Sequence, residues 1–163
     1  MIRAYVDEDA AQLAAIHSRV YADDGCTVDG FRDLAAGTLG GGGLVWVISE
    51  PVLCGYAMIS PVPGLLGIGD MTGCIAPAWQ RRGLGSRLLH FVIEALRERE
   101  FRQVAHSVTD LEGPAAQFLK HHSFFVEHEE WLMALDGVKR LPVEANDGSA
   151  RLQVYSQTMA VPL

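Results

Sequence analysis

Two glycines at the mouth of an amphipathic helix, with arginines on either side, make an anion site. The chain has such a place at Gln80-Arg81-Arg82-Gly83-Leu84-Gly85, followed by Ser86 and Arg87. Glycine lets the backbone turn so that successive N–H groups converge, and a helix N-terminus adds its own open donors and positive dipole end. Arg81, Arg82 and Arg87 bring charge to the same turns, which suits a pyrophosphate better than a single carboxylate. The spacing is neither that of the Walker loop, which needs Gly-Lys-Ser/Thr, nor that of the three-glycine dinucleotide fingerprint.

Around this turn, alternation and helical spacing outline the elements that would hold it. Met1 to Val6 reads as a short strand and Asp7 as the cap of a helix carrying Leu13, Ile16 and Val20 on one face. A second, shorter helix is expected from Asp29 to Leu34, and Gly40 to Gly43 reads as a flexible connector, since it leads into a strand and not a helix. Leu44 to Ile48 and Val52 to Ile59 form a predicted antiparallel hairpin, and a third run from about Leu66 stops at Ile75 before Pro77. The spacing then predicts a helix over Arg81 to Arg99, a strand over Gln103 to Val108, a helix from Pro114 to His122 and a strand from Phe124 to Leu135. Residues 136–150 are polar and turn-rich, and Arg151 to Tyr155 is a last strand candidate.

At 163 residues, 49% of them hydrophobic, the chain suits one α/β domain with a real core. The net charge of -7, without a run of lysine or arginine, argues against a nucleic-acid surface and favours a small, cationic substrate. Cys26, Cys54 and Cys74 lack zinc-like spacing and read as reduced, mostly buried thiols, which points to the cytoplasm. No apolar stretch approaches a membrane span, and the N-terminus reads as a strand, not a leader.

Ile75-Ala76-Pro77-Ala78-Trp79-Gln80-Arg81-Arg82-Gly83-Leu84-Gly85, with Ser86-Arg87-Leu88-Leu89 after it, resembles the coenzyme A signature of the GNAT N-acyltransferase superfamily. The pattern is Val or Ile two before proline, then Gln/Arg-x-x-Gly-x-Gly/Ala, and the element order agrees from Met1 to about Leu135. The resemblance implies a GNAT fold: a mixed, mostly antiparallel central sheet of six to seven strands flanked by about four helices, with strands splayed at the acyl-CoA site. It places that domain over residues 1–135, with 136–163 an extension that adds a last strand. It also implies an N-acyltransferase that moves an acetyl group from acetyl-CoA to the amine of a small molecule or peptide by direct attack on the thioester, with no metal. The main chain at Ile75 and Ala76 would pair with the pantetheine arm, and Gln80, Arg81, Arg82, Gly83, Leu84, Gly85 and Ser86 would hold the pyrophosphate.

The catalytic groups are less clear in the same comparison. The family's tyrosine, which protonates the leaving thiolate, stands four residues before a Gly-Phe pair; here that position is Leu119, ahead of Ser123-Phe124. Family bases fall at Met71 and Gly69, whereas the carboxylate of this strand, Asp70, is one residue out of register and should face away unless a bulge intervenes. His106 is the other candidate to accept the amine's proton, with Ser107 and Thr109 weaker ones; each reads equally as strand packing. Tyr21, Asp23, Asp24 and Asp29 belong to the region that borders the family's acceptor pocket, although a solvated loop would look the same. His121, His122 and His128 lack the spacing of a helical metal pair. A second reading is a degenerate GNAT domain, similar to the N-terminal half of tandem GNAT proteins, that binds coenzyme A or serves a structural role. The segment from Phe124 to Leu132 would serve either a homodimer or the core.

Overall fold

The computed structural model describes residues 1–22, 24–99, 101–134 and 151–162, the side chains of 129–134 and of most of 151–162 excepted. Asp23, Leu135 and the turn-rich 136–150 lie outside the described residues. The chain forms two compact units, Met1–His106 with Val161–Leu163, and Ser107–Ala160.

In the first unit, β1 (Ile2–Ala4), β2 (Leu44–Ser49), β3 (Leu53–Pro61) and β4 (Ile68–Ile75) pair antiparallel in that order, and β5 (Gln103–Val108) joins β4 in parallel. The expected hairpin is present. One face of the sheet carries α1 (Ala10–Val20) and α2 (Val28–Gly40), whose Leu13, Ile16, Phe31 and Ala35 close on Val45, Val47, Tyr56 and Met58. On α3 (Leu84–Arg97), Leu84, Leu88, Leu89, Val92 and Leu96 are all buried, a stripe at helical spacing. Trp46 meets Phe91 of α3 edge-on at 5.8 Å between ring centroids, which puts α3 on the face opposite to Val45 and Val47.

Four local expectations change. Asp7 opens a single 3-10 turn, and the polar work at the start of α1 falls to Asp9, which accepts from Val6 N–H at 3.0 Å and from both Arg3 amino groups at 2.6 and 2.7 Å. The second helix is longer than Asp29 to Leu34, because Thr27 caps it and the buried row Phe31, Ala35, Thr38 carries it through Gly37 to Gly40. The glycines that follow are not a loose connector. Gly41 and Gly43 donate to Gly37 and Thr38, and a Cβ on Gly43 would stand 2.2 Å from the Ile59 carbonyl oxygen. Finally, α3 starts at Leu84 and not Arg81, so Arg81 and Arg82 belong to the turn before it.

The second unit contains α4 (Pro114–His121), with proline in its first turn as expected, and β6 (Phe125–Ala134) paired antiparallel with β7 (Arg151–Pro162). The last strand is thus longer than the Arg151 to Tyr155 candidate. Seven strands and four α-helices are described in all. Of the thiols, Cys54 is buried while Cys26 and Cys74 are half-buried, and all three are free. Among the described residues no helix is long and apolar enough to cross a membrane.

Candidate active site

The antiparallel ladder decides which way β4 points its main chain. Ala76 N–H donates to Cys54 O at 2.8 Å and Val62 N–H to Ile68 O at 3.0 Å, so the even residues of β4 bond toward β3. The odd residues therefore direct N–H and C=O to the other side. Among the described residues β5 pairs there at Ile68, Gly69 and Asp70, and β4 runs on from Met71 to Ile75 without a described strand partner on that side. This is the splay expected of the fold.

Three side chains occupy the outward carbonyls of this open edge. His106 Nδ1 lies 2.5 Å from Met71 O, Tyr21 Oη donates to Gly73 O at 2.8 Å, and Gln80 Nε2 donates to Ile75 O at 2.9 Å. The expected pantetheine contacts narrow accordingly. Ala76 spends its N–H on Cys54 and its C=O on Trp79 N–H, so the donors turned outward are those of Ile75 and Gly73.

Beyond Ile75 the chain makes one 3-10 turn, Pro77–Trp79, with proline at its first positions. Gln80 folds back onto Ile75, Arg81 takes a left-handed φ of 61°, and Gly83, at φ 77°, caps α3. A Cβ on Gly83 would meet nothing within 4 Å, so glycine is there for its backbone conformation and not for tight packing. The first helical bond runs from Arg87 N–H to Gly83 O, and helix geometry leaves the N–H groups of Leu84 and Gly85 facing outward. The Arg82 guanidinium lies 4.9 Å over the Trp79 ring. Neither Arg81 nor Arg82 has a carboxylate partner among the described residues, whereas Arg87 is held by Glu50 at 2.6 Å. Gln80 to Gly85 thus present converging donors and two uncompensated cations, a donor set that fits a pyrophosphate.

No bulge interrupts the β3–β4 register between Gly69 and Ile75, so Asp70 shares the face of Thr72 and Cys74, opposite to Met71. Its carboxyl is pushed above the ordinary range by the surrounding protein mass, and nearby His106 offsets part of that effect. The side chain nonetheless reaches solvent, so the effect is modest. Because a carbonyl oxygen can only accept, His106 must carry a proton on Nδ1, which leaves Nε2 as the acceptor in the neutral ring.

On the Cys74 face the structure assembles residues that the sequence kept apart. Tyr56 stands opposite Cys74 in the ladder, the two side chains interact, and the Tyr56 hydroxyl meets His17 Nδ1 at 2.5 Å. The His17 ring lies 4.7 Å from that of Tyr21, and its Nε2 is 3.9 Å from Asp24. Burial lowers the His17 pKa, with Asp24 opposing, and raises Cys74 to about 12, an effect that Tyr56 reduces. A hollow of about 310 Å³ opens here, lined by His17, Asp24, Cys26, Thr27 and Leu34. Asp29 is engaged with Arg32 at 3.0 Å. Only the register could have shown the Tyr56–Cys74 pairing in advance.

In the second unit, Ser107 and Thr109 are exposed. Leu119 is buried at 2% exposure, and Ser123 takes a φ of 66° in the turn that ends α4. No cluster of three metal-ligating side chains occurs among the described residues, His121, His122 and His128 included.

The sequence pattern of the Acetyltransferase (GNAT) family matches residues 8–124. No curated protein sequence matches significantly. Solved structures agree in fold at low identity. The GNAT-family acetyltransferase of Streptococcus pneumoniae is 19% identical with a TM-score of 0.71, over 100% of this chain and 99% of that one. The ribosomal-protein-alanine N-acetyltransferase of Brucella melitensis is 19% identical at 0.74, over 100% and 99%. The GNAT-superfamily phosphinothricin acetyltransferase of Sinorhizobium meliloti, solved in complex with acetyl-CoA, is 14% identical at 0.74, over 100% and 88%. With a cradle before α3, a strand edge bared beyond Asp70, and a family pattern spanning most of its length, the chain belongs to the GNAT acetyltransferase family.

Proposed function

We propose that the protein is an acetyl-CoA-dependent N-acyltransferase acting on the amine of a small molecule or peptide. The observation that carries this reading is the continuity of the donor surface: the outward N–H groups of Gly73 and Ile75 lead to the Gln80–Gly85 turn, where Arg81 and Arg82 have no carboxylate partner among the described residues. Coenzyme A has matching parts in the same order, with a pyrophosphate for the turn and an amide-bearing pantetheine arm for the edge. Acetyl-CoA supplies the activated acyl group. The chain's residues hold it in an extended pose, and His106 Nε2 is the group on the edge able to take the proton that an attacking amine sheds. The Asp24 carboxylate at the hollow suits a cationic acceptor.

One observation favours the second reading, a domain that binds coenzyme A without turnover. The position of the family's proton-donating tyrosine is the buried, apolar Leu119. Two measurements separate the readings. Acetyl-CoA raises the melting temperature under both, while thiol release in the presence of a panel of polyamines, amino acids and N-terminal alanyl peptides occurs only under the first. An unchanged melting curve at saturating acetyl-CoA removes both.

A further inference from the structure

We propose that Tyr21 is the hydrogen-bond donor that stabilises the departing thiolate, answering from the end of α1 for the role left open by Leu119. The proposal rests on the acyl-CoA reading above. Its hydroxyl donates to Gly73 O at 2.8 Å, on the part of β4 where the main chain faces outward and, among the described residues, no strand partner follows. Gly73 has no side chain, and a Cβ there would stand 2.6 Å from Tyr56 O, so the position stays bare. On the edge from Met71 to Ile75 the side chains that hold carbonyls are His106, Tyr21 and Gln80. An amide is no acid, and His106 is the acceptor in the proposed reaction. Tyr21 is the remaining group with a proton to share.

Its surroundings keep that proton in place. Burial first, and then Cys74, push the phenol up to about 12 against the opposing bond to Gly73 O. The main chain is pinned on both sides, by Tyr21 N–H to His17 O at 2.8 Å and by Asp24 N–H to Tyr21 O at 3.0 Å. The ring rests against His17, itself fixed by Tyr56. Only the hydroxyl hydrogen is free to rotate, from the carbonyl toward a sulfur arriving beside it.

The step balances. The amine lone pair forms the C–N bond at the thioester carbonyl, and collapse of the adduct breaks C–S with its electron pair on sulfur. The Tyr21 O–H turns to that sulfur as a charge-assisted hydrogen bond and keeps its own proton, while the ammonium proton leaves through His106 Nε2 and water, which returns one to the thiolate as the coenzyme departs, so the protein ends as it began.

The test needs no acceptor. Coenzyme A affinity is measured from about pH 7 to pH 9.5, spanning the ordinary thiol range near about 8.5, for wild type, Tyr21→Phe and Tyr56→Phe. Acetyl-CoA, which has no thiol, serves as the reference. Of the groups around the phenol, His17 on α1 is lowered by burial and Cys74 on β4 is raised by burial to about 12, both outside that window. In wild type, coenzyme A should gain about tenfold over acetyl-CoA as the thiol ionises, because O–H···S⁻ is a charge-assisted bond. Tyr21→Phe should stay flat, and Tyr56→Phe should behave as wild type. An equal rise in Tyr21→Phe, or its loss in Tyr56→Phe, overturns the assignment while acetyl-CoA binding stands. Failure of wild type to bind acetyl-CoA overturns the acyl-CoA reading and this one with it. If Tyr21→Phe does not fold, thiolate absorbance of coenzyme A bound to wild type decides: a bound thiol pKa below that of free coenzyme A supports Tyr21, and an equal or higher one refutes it.

Discussion

Arg87 donates to Glu50 at 2.6 Å and ties the start of α3 to the turn between β2 and β3, which leaves Arg81 and Arg82 as the cations beside Gly83 without a carboxylate partner among the described residues. Arg82→Glu should therefore weaken acetyl-CoA binding about tenfold or more, or about 1.4 kcal/mol. Glu50→Gln releases Arg87 and should tighten binding by about twofold. Titration calorimetry reads both, and equal affinities for wild type and Arg82→Glu would refute the cradle.

His106→Asn keeps a donor for Met71 O and removes the ring nitrogen that accepts. Acetyl-CoA affinity should hold within about twofold, while kcat with any amine that turns over should fall about 10²-fold. Retention of full kcat would move the base elsewhere.

His17 is buried, and burial holds its pKa below that of the unfolded chain, about 6.5, with Asp24 opposing. A depressed folded pKa means stability that is complete above the unfolded value and lost as pH falls below it, because the unfolded state then binds the proton more readily. Urea denaturation at successive pH values should show stability declining from about pH 7 toward the lowered folded pKa. His17→Gln should remove that slope; an identical slope in the variant would assign it to another group.

Two glycine substitutions should diverge in sign. Gly37→Ala enters open space within α2 and should stabilise the fold by about 0.5–1 kcal/mol. Gly43→Ala would drive a methyl to 2.2 Å from Ile59 O and 2.8 Å from Thr38 O, both backbone, and should cost about 3 kcal/mol or more. Equal melting temperatures would contradict the packing at the end of α2.

Ser123 has a φ of 66° after α4, a conformation that glycine adopts without strain. Ser123→Gly should raise stability by about 1 kcal/mol. A lower melting temperature would show that the serine side chain outweighs its backbone cost.

The turn between β4 and α3 was legible because its signals are local: proline, glycine and arginine fall within one strand-to-helix junction. The hairpin and the stripe of α3 were legible for the same reason. The start of α3 was misread because Arg81 and Arg82 are good helix formers, and the left-handed Arg81 leaves no mark in composition. The end of α2 was misread because Gly37 and Gly40 look like breakers, while burial of Phe31, Ala35 and Thr38 holds the helix regardless. The Tyr21–Gly73 and His17–Tyr56 contacts join distant segments, and no local pattern announces either. The face that Asp70 shares with Thr72 and Cys74 follows from strand alternation, which is strict where no bulge occurs.

His106, Tyr21 and Gln80 reach the outward carbonyls of β4 from β5, from α1 and from the turn after the strand. A strand bared in mid-sheet is a template on which a foreign strand could add itself by hydrogen bonding. With its acceptors already engaged by side chains, this edge offers an intruding chain donors without the alternating acceptors a ladder requires. Replacing the three residues together should therefore promote aggregation even where folding survives, a change that light scattering would read.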